Sequence, residues 1–197
     1  MLRKLLDITE TLEFEENGRL LIQAATWSDD SVDLRFRVDH GTDETSIWTL
    51  HCSEVIEYLL ADVRYQIGLN IHSGDHPLIK QYVQPLEGVY SSKPSADPDH
   101  VVGQLWAAHV ALVDDWIPFD RYLHRGLPLR ALLASGHALI ASAPTFLADV
   151  YSHVLESNGC EPTRLQPAAA RATSAQLAHF GDSYILAAGI TASQSAD

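Results

Sequence analysis

Residues 32–39, VDLRFRVD, alternate without a fault: Val32, Leu34, Phe36 and Val38 against Asp33, Arg35, Arg37 and Asp39. Side chains on a strand point to opposite faces with a period of two, so this stretch reads as a strand with one face in a core and one in water. A half-buried strand of this kind belongs to an antiparallel sheet covered on one side. The flanks extend the pattern. TLEFEE, Asn17-Gly18 and RLLIQAATW read as a hairpin, because Asn-Gly accepts the positive φ of a type I′ turn. After SDDS and the 32–39 strand, ETSIWTLHC alternates again, with Trp48, Leu50 and Cys52 opposite Ile47, Thr49 and His51. The expected front of the chain is an antiparallel meander of about four strands.

The period then changes. In SEVIEYLLADVRYQ, Val55, Ile56, Leu59, Leu60 and Val63 recur at spacings of three and four, the signature of an amphipathic helix. Ser53 suits its N-cap, Glu54 its first turn and Gly68 its end. LNI is a candidate short strand, and EGVYS another. Asp97-Pro98-Asp99 is a helix start, and Val101, Val102, Leu105, Trp106, His109, Val110 and Val113 form a wide apolar stripe behind it. IPFDRYLHRG reads as a connector. PLRALLAS is a short helix closed by Gly136, HALIASA a short strand, and PTFLADVYSHVLESN a helix stopped by Gly159. The expected class is therefore α+β: a sheet meander packed by one amphipathic helix, then a mainly helical second half with one or two short strands. Residues 1–160 are expected to form one domain, β-rich over 10–52 and helix-rich over 53–160. Residues 161–197 read as a small-residue-rich segment with a candidate final strand at 183–190 and a loose tail.

Composition narrows the function. The chain has 197 residues and a formal charge of −13, from 26 acidic and 13 basic residues. Binding nucleic acid through phosphates needs clustered Lys and Arg, and no basic run is present. A basic partner protein fits the charge better. Cys52 and Cys160 form no CxxC pair, so zinc and redox spacings are missing; two such distant cysteines suggest reduced thiols in the cytoplasm. The start, MLRKLLDITETLEFEE, lacks the apolar core of a signal peptide, and no apolar run is long enough to span a membrane.

One stretch reads like a site. NIHSGDHPLIKQY, residues 70–82, gathers His72, Asp75 and His76, then Lys80 and Tyr82. Two imidazoles and a carboxylate are ligand types for zinc or iron. His72 and His76 would share a helix face, but Gly74 and Pro77 break the helix. The turn is similar to the HxHxDH loop of the metallo-β-lactamase family in Asp75-His76. Ile71 and Ser73, however, stand where that loop's first two histidines belong, so its ligand set is not carried over and no metal or cofactor is expected. The plainer reading is a polar turn, with Asp75 accepting backbone N–H bonds and His76-Pro77 opening the next element. Lys80 and Tyr82 would hold an anionic ligand, or Tyr82 would only edge a core.

Two further features join it. His109 lies on the apolar stripe between Leu105 and Val113, so it faces inward and needs a hydrogen-bond partner. It is either a structural histidine bonded to a carbonyl or carboxylate, or a neutral general base beside a cleft. Asp114 and Asp115 sit at the helix's C-terminal end, where the dipole disfavours negative charge, and Trp116 follows them. Cys52 and His51 point to opposite faces of one strand, which excludes a dyad. No GxSxG elbow, Walker loop, GxGxxG or EF-hand run occurs.

The leading expectation is a non-enzymatic, cytoplasmic protein-binding protein of bacterial immunity or adaptor type. Its acidic surface, at strand 32–39, Asp29-Asp30 and Asp114-Asp115, would engage the partner. The alternative is a small-ligand-binding or hydrolase-like protein whose pocket joins the 70–82 loop, His109 and the 114–119 corner. There Asp75, His76 and His109 would be the acid/base groups, with Lys80, Trp116 and the other loop residues binding the ligand. A structural homo-oligomer, with strand edges or the final segment SYILAAGI pairing across a dimer, is the third expectation.

Overall fold

The alternating strand is half-buried as its pattern requires: Val32, Leu34, Phe36 and Val38 are all buried. The structure is a computed structural model that describes residues 1–42, 44–61, 65–66 and 68–195. Its helices are α1 (Leu2–Thr9), α2 (Leu12–Asn17), α3 (Pro77–Val83), α4 (Pro98–Val113), α5 (Leu129–Ser135) and α6 (Thr145–Ser157), with a 3₁₀ turn at Phe119–Arg121. Its first five strands are β1 (Arg19–Ser28), β2 (Ser31–Asp39), β3 (Thr45–Leu59), β4 (Tyr65–Gln66) and β5 (Asn70–Ser73). The others are β6 (Leu86–Ser91), β7 (Ala138–Pro144), β8 (Pro162–Arg164), β9 (Gln176–Phe180) and β10 (Ser183–Gln194). Helices stand beside antiparallel sheets, so the chain is α+β. It divides into two units, Met1–Ile79 with Ser174–Asp197, and Lys80–Thr173.

The first unit is built on a seven-stranded sheet in the order β4-β1-β2-β3-β10-β9-β5. β1 and β2 join at Ser28↔Ser31 through Asp29-Asp30, and β2 pairs with β3 from Asp39↔Thr45 to Val32↔Cys52. Positive φ at Asp29, the first of the two loop residues, is the type II′ pattern that matches strand twist. The core collects Val32, Leu34 and Phe36 from β2, Trp48 and Leu50 from β3, and Ile185 and Ile190 from β10, closed by Leu5 and Phe14 of the N-terminal helices. The strand read at 183–190 is real and longer, and lies between β3 and β9.

Two local expectations are corrected. Residues 12–17 form a helix, not the first hairpin strand. Thr11 caps it by accepting the Phe14 N–H at 3.2 Å. Six alternating residues are too few to separate a strand from one helical turn burying Phe14. Gly18 ends that helix rather than turning a hairpin; its φ is −76°. Glycine is needed there because the Phe14 ring occupies the space of a Cβ.

The second correction concerns residues 53–59, which continue β3 and are not helical. β10 pairs with them to Tyr184↔Leu59. The ladder skips Ile56, because Leu186 faces Glu57 while Ala187 faces Val55. That bulge resets the period-two alternation and leaves apolar residues at helical spacing. The cross-strand partner decides the outcome, as tertiary pairing overrides local pattern. Of the rest of the expected helix, Leu60 and Ala61 belong to no element, Tyr65–Gln66 form β4 instead, and residues 62–64 lie outside the described residues.

The second unit holds a three-stranded sheet, β7-β6-β8, with α6 packed on β6 and β7. α4 begins as expected: Asp97 Oδ1 accepts the His100 N–H at 3.1 Å and Pro98 opens the first turn. Val101, Leu105, His109 and Val113 are its buried side, and α4 packs on α6 and α5. α5 closes at Gly136 in the left-handed region, as expected. The second half of the chain is thus mixed, holding β7 to β10 beside its helices, rather than mainly helical. No described helix is long and apolar enough to cross a membrane.

Candidate functional site

The predicted site residues are divided between the two units. In the first, His72 ends up on β5, Asp75 in the turn after it, and His76 just before α3. Gly74 takes φ +85°, which lets the chain reverse within two residues. The His72 and His76 rings lie 4.9 Å apart, and the His179 ring of β9 is 6.4 Å from His72. His76 caps the helix start: its Nδ1 accepts the Leu78 N–H at 3.2 Å. Burial and the neighbouring His72 and His179 push the His76 imidazole down to about 4. Burial, then His179, lowers His72 as well. His179 was missed because only the β5–β9 pairing, Asn70↔His179, brings it there. Among the described residues no group of three or more His, Cys, Asp or Glu side chains is placed to hold a metal ion.

Lys80 and Tyr82 belong to the second unit. The Lys80 ammonium stands over the Phe146 ring at 6.0 Å. Tyr82 is buried, and its hydroxyl accepts from Arg121 Nη2 at 2.9 Å. The Arg121 and Arg171 guanidiniums stand 6.0 and 5.7 Å from its ring. Tyr82 is therefore held between two cations in a packed corner, the amphipathic role of an edge tyrosine.

His109 is fully committed. It is 1% exposed. Its Nε2 donates to the Ile117 carbonyl at 2.6 Å, and its Nδ1 accepts from the Tyr151 hydroxyl at 2.8 Å. A neutral imidazole has one donor and one acceptor nitrogen, and both are used. Burial lowers its basicity further, against the raising effect of the Ile117 bond. This arrangement fixes the chain leaving α4 and leaves no nitrogen for proton transfer. An open groove of about 370 Å³ runs beside it, walled by Trp106, Asp114, Asp115, Pro118 and Phe119. The structure thus brings His109 together with both aspartates; Trp116 is half-buried and outside that wall. Trp106, read as part of the buried stripe, is 55% exposed.

Cys52 offers no nucleophile. It lies on β3 rather than before a helix, and burial, then Asp33, pushes its thiol up to about 12. Both cysteines are reduced and buried.

The first unit also carries an open groove of about 500 Å³ lined by Trp27, Asp29, Asp30 and residues 55–58. The Trp27 and Tyr58 rings pack 4.4 Å apart, yet remain 43% and 53% exposed. Asp29 and Asp30 stand at the tip of the β1–β2 hairpin. Glu57 accepts from the Tyr184 hydroxyl at 3.0 Å. Asp29-Asp30 was legible as an acidic turn. The aromatic pair was not, because Tyr58 was assigned to a helix. Along strand 32–39, by contrast, Asp33 meets His51 at 2.6 Å and Asp39 meets Arg37 at 3.0 Å, so its acids already have side-chain partners. No family model, curated protein or solved structure matches the chain.

Proposed function

We propose that this chain is a non-enzymatic, cytoplasmic binding protein of adaptor or immunity type that grips a basic segment of a partner protein. The observation that carries this reading is the exposed Trp27–Tyr58 pair in a groove flanked by Asp29 and Asp30. Tyrosine and tryptophan dominate binding energy at interfaces, because they bury large area at low entropic cost. A lysine or arginine side chain would find the aromatic faces and the carboxylates together, a cation–π contact backed by charge. The formal charge of −13 steers a basic partner toward the chain.

The test is capture from the native host at low salt, comparing wild type with Asp29→Lys/Asp30→Lys and with Trp27→Ala. A partner held by wild type and lost from both variants is expected. If wild type retains nothing, or the variants retain the same partner equally, the reading is wrong.

The 370 Å³ groove beside exposed Trp106 favours, as a second reading, a small-ligand site in the second unit. With His109 engaged at both nitrogens, that site would bind rather than carry out acid–base chemistry. Thermal-shift screening with small aromatic cations, on wild type and Trp106→Ala, distinguishes the two: a shift lost in Trp106→Ala supports it.

A further inference from the structure

We infer that the partner segment enters the first-unit groove as an extended strand and pairs with β3 beyond Cys52, adding a strand where β2 stops. This deepens the binding reading above and rests on it.

β2 lies beside β3 only from Thr45 to Cys52. β3 runs on through Leu59 with β10 along its other side. Among the described residues no strand lies on the β2 side of residues 54–59. The Val55 N–H donates to the Asp30 carbonyl at 2.7 Å. Thus the hairpin tip is tied to β3, and the hydrogen-bonding edge of β3 turns toward the groove at its very start. Glu54, with φ +50°, and the bulge at Ile56 twist the strand as it leaves the hairpin. Among the described residues, the groove therefore opens in line with β2, with the hairpin as its end wall.

The occupant's chemistry follows from the walls. Strand addition supplies affinity through main-chain bonds, and specificity through alternate side chains. Ile56 lines the groove together with Tyr58 and Trp27, both of them exposed. An incoming strand turns every second side chain to that aromatic wall, beside Asp29 and Asp30. A basic side chain at alternate positions satisfies both, whereas an acidic one meets like charge. A groove of this volume admits a few residues of extended chain, not a folded surface.

The probe is an acetylated, amidated Val-Lys-Val-Lys-Val-Lys-Val peptide titrated into the full chain by calorimetry at low salt. Its Lys→Glu counterpart and two versions N-methylated on alternate amides, one per register, are the controls. We expect the lysine peptide to bind and the glutamate peptide not to bind. One N-methylated register should bind at least about tenfold more weakly, since a lost pair of backbone bonds is worth about that factor. Hydrogen exchange should slow at residues 56–59 on binding. Equal affinity of both N-methylated peptides, or protection at residues 22–28 of β1 instead, overturns strand addition here. Failure of the lysine peptide to bind also overturns it, while a host partner lost with Asp29→Lys/Asp30→Lys leaves the broader reading standing. A dimer of the chain broken by Asp29→Lys would assign the groove to a second copy and likewise overturn it.

Discussion

A buried imidazole with both nitrogens engaged is costly to remove, because each partner it leaves behind is buried too. His109→Ala would leave the Tyr151 hydroxyl and the Ile117 carbonyl without their partner and open a cavity beside α6. The expected loss is on the order of 3 kcal/mol, against about 1–2 kcal/mol for Tyr151→Phe, which removes one bond and little volume. Chemical denaturation of the two variants measures both; equal and negligible losses would return His109 to the candidates for chemistry. His76 lends itself to a pH experiment. Its imidazole falls to about 4 in the native state, whereas an unperturbed histidine titrates near ~6.5. Above 6.5 both states are neutral and the native advantage is full. As pH falls from 6.5 toward 4 the unfolded chain takes up a proton that the native chain refuses, so stability declines. His72 and His109, also lowered, add to the decline in the same direction. His76→Asn keeps a short acceptor for the Leu78 N–H and removes the proton site. The drop in urea midpoint between pH 7 and pH 4.5 should be smaller in the variant than in wild type.

At the scale of elements, the odd feature of the α4 end resolves into a turn. Asp114 takes φ +53° and ψ −130°, and the Trp116 N–H donates to the Val113 carbonyl at 3.1 Å. That is the first central position of a type II′ turn, where glycine is preferred and a short polar side chain is tolerated. Asp114→Gly is therefore expected to raise stability by up to about 1 kcal/mol, the relief of backbone strain outweighing the entropy of glycine. Asp114→Val should lower it, and thermal unfolding of the pair reads the sign. The sequence flagged this site as an electrostatic misfit; backbone geometry, invisible in composition, is what places the aspartate there. Elsewhere legibility followed the length and regularity of the pattern. β2 could be read because its alternation is unbroken, and α4 because Asp97-Pro98 precedes a long stripe. The far half of β3 could not, since the Ile56 bulge imitates a helical period and its partner β10 lies more than a hundred residues away. That error hid Tyr58, and with it the aromatic half of the groove. His179 was hidden for the same reason, because a cluster assembled across β5 and β9 has no local spacing to recognise.

At the scale of the molecule, the first unit is discontinuous in sequence: residues 174–197 return to it after the whole of the second unit. β10 is its central device. It pairs with β3 over Trp48–Leu59 and with β9 over Ser183–Ala187, so it joins the front meander to β9 and β5. Its Ile185, Ala187 and Ile190 fill the same core as Trp48 and Leu50. Pairings of such long sequence separation close a large loop before they gain contacts, which makes the first unit dependent on the last strand to arrive. A chain ending at Thr173 would retain the ladder β4-β1-β2-β3 but expose the β10 side of β3 and one flank of the core. That remnant loses both a ladder and the apolar cover of Ile185, Ala187 and Ile190, a loss that is large against the roughly 5–15 kcal/mol a whole domain holds. Hydrogen exchange followed by mass spectrometry should then show residues 19–59 exchanging as an unfolded segment. Residues 98–157, whose sheet and helices all lie within Lys80–Thr173, should stay protected. Protection of 19–59 in the truncated chain would mean that the front meander is self-sufficient and that β10 docks on a finished sheet. In that case the groove beside Trp27 would also survive truncation, and the lysine peptide would bind the shortened chain as well as the full one.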